Sequence, residues 1–460
     1  MESLEALQDR YGRPIVFQFI VRLYGTGDVR GPLLSAIAST GAIASEMQLD
    51  VVEAPGGDLI YNLLVFTTGD EQMAAARQAV EDVEGASIVE VVDIAMESHR
   101  GGACEMQSRC PIESNTDLRI VYTPGVARVC KAIEASPALA REYTGIHNKV
   151  AIVTNGTAIL GLGDIGCVPG MPVMEGKSAI FWEFAGISAE PILVDTKDPE
   201  KFIETVCTIA PTFGAIQVED VAAPECFQIT QELDNRLDIP VMHDDQHGTA
   251  TICLAGLYSA LRKKGWKMSD MKVAVSGAGA AGTAINELLQ AAGVGDVVLV
   301  DSVGIIHEGR TERMNPCKEK LAKESNRDKI KGGLAEAMKD AHVFIGCSQP
   351  DIVSKDMVRS MVDKPILFPL ANPVSEISKP DALDAGADVY ADGRYMNNAI
   401  AYPGIFRGAL DSGTDRITLK MMMAAADRLA EIVPDGELLP EMMDPNTHLA
   451  VAAAVAGAAK

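Results

Sequence analysis

A chain of 460 residues, 47% of them apolar and 23% charged, is long enough for about three globular domains with a sizeable core. Forty basic against 64 acidic residues leave a net charge of −24, a field that repels nucleic acid and anionic lipid and excludes both as partners. The nine cysteines show no CxxC pair and no regular spacing, which fits free thiols in a reducing cytosol rather than a disulfide framework or structural zinc.

The acidic start, Met1-Glu2-Ser3-Leu4-Glu5, has no signal-type apolar core behind it, and the most apolar stretch, 449–459, is too short to span a bilayer. A soluble, cytoplasmic protein with no membrane partner is expected. Residues 15–24 (IVFQFIVRLY) read as a strand, followed by a turn with Gly25, Gly27 and Gly31 and a helix over 32–39. Strands over 46–53 and 59–67, a helix over 70–83 and a strand over 87–95 complete βαββαβ, the split-βαβ plan of ferredoxin-like modules, within residues 1–97. This unit resembles an ACT domain on its topology and its Gly25–Gly31 turn. The resemblance implies regulation by a small effector such as an amino acid; a packing or dimerisation appendage is the alternative.

Residues 98–117 lack periodicity and read as a linker opening a second unit, 98–246, in which β-like runs at 150–153, 191–194, 215–218 and 240–242 alternate with helices. A third unit, 247–460, begins with a helix and strand 272–276 and closes with an Ala/Met-rich helical tail from Thr418. The expected class is α/β: a doubly wound Rossmann-type domain and an α/β catalytic domain, preceded by the ferredoxin-like module.

Strand 272–276 runs into Gly277-Ala278-Gly279-Ala280-Ala281-Gly282, with a helix expected from Thr283. A GxGxxG between strand and helix brings backbone to a pyrophosphate at the helix N-terminus. Asp301 ends the next strand at the spacing of a carboxylate that bonds the adenosine ribose. It would repel a 2′-phosphate, and Ser302 and Val303 bring no cation, so NAD is favoured over NADP unless Arg310 or Arg313 folds back.

In the middle unit, two glycine-dense turns (Gly161-Leu162-Gly163-Asp164-Ile165-Gly166 and Met171–Gly176) precede Lys177, which suggests a lysine in a pocket, although a lysine beside a turn is commonly solvated. Glu219-Asp220 and Asp244-Asp245 each follow a strand-like run. Carboxylates at strand ends lie where α/β folds bind ligands, and two converging pairs supply hard oxygens for Mg²⁺ or Mn²⁺. Either pair alone would also suit a solvated loop.

Tyr122-Thr123-Pro124-Gly125-Val126-Ala127, the GLGDIG…MPVMEGK run, QVED, HDDQHGTA, Asn372-Pro373 and Asn397-Asn398…Tyr402-Pro403-Gly404 together resemble the malic enzymes, particularly the short bacterial form, from about Gly101 to the end. The resemblance implies NAD-linked, metal-dependent oxidative decarboxylation of L-malate to pyruvate by a homodimer or a dimer of dimers. Lys177 then matches the general base at the C2 hydroxyl, Tyr122 the acid that protonates the enol carbon, and Asp244 the lysine's hydrogen-bond partner. Glu219, Asp220 and Asp245 match the metal ligands. Gly277, Gly279, Ala280, Ala281, Gly282 and Asp301 match the cofactor site, Asn372 the cofactor or substrate, and Asn397 and Asn398 the substrate. Ala158 stands where larger members carry an arginine for malate's carboxylate, which leaves Arg394 as the candidate replacement. Two rival readings share these motifs: a malolactic enzyme that releases lactate and keeps NAD bound, and an idle enzyme body serving as a sensor.

Overall fold

The computed structural model describes residues 15–24, 29–54, 58–159, 161–372 and 374–460; Gly25, Gly27 and Pro373 lie outside them. The chain divides into two compact units, Met1–Glu105 and Met106–Lys460. In the first, β1 (Ile15–Leu23), α1 (Arg30–Ser39), β2 (Ile43–Ala54), β3 (Asp58–Thr67), α2 (Asp70–Glu81) and β4 (Ala86–Asp93) follow the expected βαββαβ order. The sheet runs β2-β3-β1-β4 with every pairing antiparallel. Alternation decides its faces: Phe17, Phe19, Val21 and Leu23 of β1 are buried while their neighbours are not. They pack with Leu33 and Ile37 of α1 and Ala76 and Val80 of α2, so both helices cover one face.

The second unit opens with α3 (Asn115–Val121) and α4 (Val126–Ala135). The Ser114 hydroxyl caps α3 by accepting from the Asp117 N–H at 3.2 Å, so part of the expected linker is helical. Next come β5 (Lys149–Thr154), α5 (Cys167–Ala185), β6 (Ser188–Leu193), α6 (Pro199–Ile209), β7 (Ala215–Val218), α7 (Glu225–Arg236) and β8 (Val241–His243). Their sheet is parallel, in the order β6-β5-β7-β8.

A π-helical turn, Asp244–Gly248, leads into α8 (Thr249–Lys264), whose residues from Ala250 to Leu257 are all buried. A helix apolar on every side belongs in the middle of a core. Beyond it lie β9 (Lys272–Ser276), α9 (Ala280–Ala291), β10 (Asp296–Asp301), β11 (Gly304–Ile305), α10 (Pro316–Glu324), β12 (Val343–Gly346), β13 (Ile366–Pro369) and β14 (Val389–Tyr390). The order β11-β10-β9-β12-β13-β14 is the doubly wound 3-2-1-4-5-6 arrangement, with β11 antiparallel at its edge. Its topological switch point lies between β9 and β12. Helices α11 (Tyr402–Ser412), α12 (Leu419–Glu431) and α13 (Pro445–Ala458) close the chain. Val150 and Met174 from the first parallel sheet's layers, Val273 and Ile345 from the second sheet, and Phe406, Met421 and Val455 from the tail belong to one apolar cluster. The tail is therefore core, and the C-terminal edges of both sheets are held in one framework.

Candidate active site

All four residues of β7 are buried, so its ladder fixes Glu219 and Asp220 at the C-terminal edge of the sheet, each 2% exposed. Asp220 adopts φ 50°, a left-handed conformation that a non-glycine residue keeps only when its surroundings hold it. They do: its carbonyl accepts from the Ala158 N–H at 3.0 Å, and its own N–H donates to Asp245 Oδ2 at 3.0 Å. One carboxylate oxygen from each of Glu219, Asp220 and Asp245 lies within 4.8 Å of the others. Burial raises the pKa of Glu219 and of Asp245, with Lys177 opposing the rise. Three crowded carboxylates, two buried and that of Asp245 partly exposed, are hard-oxygen donors that a divalent cation such as Mg²⁺ or Mn²⁺ would relieve, and in that respect the residues fit the metal.

Lys177, on α5, is not a solvated surface lysine; its side chain is 14% exposed. Its Nζ donates to Asp244 Oδ2, lies 3.0 Å from Glu219 Oε1, and stands 4.6 Å from the centroid of the Tyr402 ring. Asp244 Oδ2 also accepts from Asn398 Nδ2 at 2.8 Å, and Glu219 Oε2 accepts from Gln217 Nε2 at 2.6 Å. Burial alone would favour the neutral amine, but the charges of Asp244 and Glu219 outweigh it and raise the lysine's pKa well above the ordinary value. In this arrangement Lys177 is an ammonium held between two carboxylates.

At the switch point of the second sheet, two of the loop glycines are sterically required. Gly277 has φ 105°, and a Cβ there would stand 2.5 Å from the Cys347 carbonyl oxygen; a Cβ on Gly282 would stand 1.9 Å from the Gly277 carbonyl oxygen. Around Gly279 the space is open, which leaves room for a phosphate to approach the backbone. The helix begins at Ala280 rather than Thr283, so Ala280, Ala281 and Gly282 form its first turn and present N–H groups of the kind that bind a pyrophosphate.

Of the two arginines whose return would weaken the preference for NAD, one does reach Asp301, joined by a lysine not singled out from the sequence. Arg310 folds back, with Nη1 2.8 Å from Oδ1, and Lys318 Nζ lies 2.6 Å from Oδ2. Burial would raise the Asp301 carboxyl, but the hydrogen bonds from Arg310 and Lys318 prevail and hold it well below the carboxylate range. Arg313 instead donates to the Ser302 hydroxyl at 3.1 Å.

Other expected residues stand apart from this cluster. Tyr122, just after α3, is 67% exposed, and neither α3 nor α4 contains a buried residue. Asn397 caps the turn Asn398–Ile400, its Oδ1 accepting from the Ala399 N–H at 3.0 Å. Asn398, not Asn397, therefore enters the Asp244 cluster. Asn372 Nδ2 donates to the Leu370 carbonyl at 3.2 Å, within the loop after β13. Arg394 bonds Asp392 at 2.6 Å, so a carboxylate already holds the candidate malate clamp.

Gln217 and Tyr402 were not singled out from the sequence for the lysine site. Gln217 sits two residues before Glu219, the position that places side chains on the same face of a strand, and that spacing was available as a signal. Glu376 was missed as well. Buried, it accepts from the Ser348 N–H at 3.0 Å and the Ala371 N–H at 3.1 Å, which ties together the loops after β12 and β13.

Residues 102–234 match the malic enzyme N-terminal domain, and residues 246–460 match the malic enzyme NAD binding domain in two overlapping segments. The chain is 44% identical to the NAD-dependent malic enzyme of Geobacillus stearothermophilus, over 85% of its length and 82% of the relative's. It is 46% identical to the bifunctional malic/malolactic enzyme of Bacillus subtilis, over 78% of this chain and 90% of that one. The crystal structure of the NAD-dependent malic enzyme of Thermotoga maritima is similar with a TM-score of 0.76 at 40% identity, over 79% of this chain and 99% of that one. Matched along both domains and in fold, the chain belongs to the malic enzyme family.

Proposed function

We propose that this chain oxidatively decarboxylates L-malate to pyruvate and CO₂ with reduction of NAD. The observation that carries the reading is the convergence of Lys177, Asp244 and Asn398 beside the Glu219–Asp220–Asp245 triad. When bound, a divalent cation held by that triad supplies positive charge for malate's C1 carboxylate and C2 oxygen, and NAD supplies the hydride acceptor. Lys177 is the base at the C2 hydroxyl only as the neutral amine, so the ammonium seen here must first give up its proton. A cation's charge beside Glu219 would favour that change by offsetting the carboxylates that now hold it charged. Asp244 aims its Nζ, and Asn398 fixes Asp244 in turn. Gln217 holds Glu219 in place, and the Tyr402 ring stands 4.6 Å from the lysine's Nζ. The loop that carries Asn372, secured by Glu376, faces the cofactor side.

A proton donor for C3 remains to be supplied. Tyr122 has that role by resemblance, and its exposure supports a homodimer in which a second copy of the chain receives it. Leu118, Ile120 and Val121 beside it are 44%, 65% and 40% exposed, and on α5, which carries Lys177, Val168 and Trp182 are 71% and 58% exposed. These apolar faces match in character and support an interface between copies. Val168 and Trp182 lie nine and five residues from Lys177 on α5, roughly the opposite side of the helix at about 100° per residue, so the delivery of Tyr122 to Lys177 rests on the resemblance.

NAD is the favoured cofactor because Asp301 stays ionised at the ribose position, although Arg310 and Lys318 narrow the margin against NADP. The order of the first unit supports a regulatory role, and the nine free thiols support a reducing cytoplasm. The deciding experiment is NADH formation at 340 nm from L-malate with Mn²⁺ and either NAD or NADP, with the organic product assayed. Pyruvate and NADH in equal amounts, lost on chelation, are expected. Lactate without net NADH would establish malolactic chemistry instead, and no turnover would favour the sensor.

A further inference from the structure

Of the three triad members, Asp220 alone has a left-handed backbone, with φ 50°. A residue with a Cβ leaves that conformation unless neighbouring groups fix it, and a rotation there would swing its carboxylate away from those of Glu219 and Asp245. The bond from the Ala158 N–H to the Asp220 carbonyl fixes one side of the turn. The residue before Ala158 fixes the other: the Thr157 hydroxyl accepts from the Ala222 N–H at 2.9 Å.

The chemistry of the groups sets the direction of every link behind that contact. A backbone N–H can only donate, so the Thr157 oxygen is the acceptor from Ala222 and its own O–H is left to donate elsewhere. It donates to Asn155 Oδ1 at 2.7 Å. Asn155, 8% exposed, donates in turn from Nδ2 to the Thr196 carbonyl at 3.2 Å. The chain of bonds thus runs from the loop after β6, through the loop after β5, to the turn after β7 that carries Asp220. Gly156 presses on the backbone of Gly166, where a Cβ would stand 2.2 Å from the carbonyl carbon, so the loop has little room to shift if one of these bonds is lost.

We propose that Thr157 is a positioning residue for the divalent cation, acting through Ala222 and the Asp220 backbone. This rests on the reading of Glu219, Asp220 and Asp245 as metal ligands. The hydroxyl serves as donor and acceptor at once, so serine can replace it, whereas valine, of the same shape, leaves both Ala222 and Asn155 unmatched.

The test is the Mn²⁺ affinity of the full chain, read from the free-Mn²⁺ signal in electron paramagnetic resonance well below the melting temperature. Loss of a group that orients a metal ligand costs roughly 10–100-fold in affinity. Thr157→Val is expected to weaken Mn²⁺ binding by that factor and Thr157→Ser to restore it, with NAD affinity by calorimetry unchanged in both. The Mn²⁺ concentration for half-maximal turnover should rise in Thr157→Val by more than kcat falls. Should Thr157→Val fail to fold, Asn155→Ala removes the acceptor behind the hydroxyl and should weaken Mn²⁺ in the same direction. Asp220→Asn separates the two readings. If it weakens Mn²⁺ while Thr157→Val or Asn155→Ala binds as the wild type does, the hydroxyl only stabilises the fold, and the proposal is overturned while the metal reading stands. If Asp220→Asn leaves Mn²⁺ affinity unchanged, the metal reading fails and the proposal with it.

Discussion

If Tyr122 serves the lysine site of a second copy, two inactive variants should restore each other. Lys177→Ala removes the base and Tyr122→Phe removes the acid, and each homodimer then carries two damaged sites. Loss of a general acid or base costs about 10²–10⁴-fold in turnover, so both parents should be nearly silent. A heterodimer with one variant chain of each kind is different. One site has lost both groups, while the other joins the intact Lys177 of one chain to the intact Tyr122 of its neighbour. With two symmetric sites per dimer, the heterodimer should recover roughly half the wild-type turnover. Co-expression with two different affinity tags and purification through both isolates that species, and NADH formation at 340 nm measures it. The structure motivates the exchange because Tyr122 is 67% exposed while the Lys177 side chain is 14% exposed. A heterodimer as silent as its parents would refute the reasoning and place both groups in one chain's site, or remove Tyr122 from the chemistry.

Four further outcomes are expected. Asp301→Asn should raise kcat/KM for NADP relative to NAD, because Arg310 and Lys318 lose the carboxylate that now occupies them; an unchanged ratio would exclude this trio from cofactor choice. Gly282→Ala should abolish NAD binding measured by calorimetry, since the added Cβ would stand 1.9 Å from the Gly277 carbonyl oxygen; retained affinity would mean the loop has another conformation. Mn²⁺ should raise the melting temperature, and Asp245→Asn should reduce that rise, because three carboxylates within 4.8 Å repel one another without a cation; an equal rise in the variant would move the metal elsewhere. His448 is buried, its ring 4.5 Å from that of Phe184, and burial lowers its pKa. Its contribution to stability is therefore full above the ordinary histidine value of about 6.5 and is lost as pH falls below it. Melting curves should show a shallower acid-side decline in His448→Phe, and an identical decline would assign the slope to other groups.

What could be read from the sequence follows from how locally each feature is determined. The βαββαβ order of the first unit was legible because alternating burial such as Phe17, Phe19 and Val21 is a property of a single strand. The glycine loop was legible because the clash that forbids a Cβ at Gly282 comes from Gly277, five residues away in the same loop. Glu219 and Asp245 were legible as strand-end acids, but their convergence depends on the pairing of β7 with β8, which no local pattern contains. Tyr402 and Asn398 reach the lysine site from the far end of the chain, through the packing of α11 against α5. Long side chains were the least legible. Arg310 lies nine residues beyond Asp301 and Lys318 seventeen, and only the return of the chain through β11 and α10 shows that both meet it.

That return also bears on how a chain with a charge of −24 binds anions at all. Its cations at the two sites are not free: Lys177 is held by Asp244 and Glu219, and Arg310 and Lys318 by Asp301. Each pair is positioned by its own carboxylates at a sheet edge, and a ligand must compete with those carboxylates or be accompanied by a counter-charge. At the lysine site Glu219, with Asp220 and Asp245, also belongs to a group of three carboxylates whose oxygens stand within 4.8 Å of one another, an excess of negative charge that a divalent cation would offset. At the proposed ribose site Asp301 already accepts from Arg310, Lys318 and the N–H groups of Val303 and Gly304, so a ribose hydroxyl would have to replace one of these donors, whereas a 2′-phosphate would compete with the aspartate for both cations. On the proposed reading, these paired charges would make turnover metal-dependent at one sheet and leave cofactor choice at the other to the balance between Asp301 and its two cations. A variant that removes only the aspartate should change the second without changing the first: Asp301→Asn should leave the Mn²⁺ dependence of malate turnover unaltered, and a shifted Mn²⁺ requirement would mean the two sites are not independent.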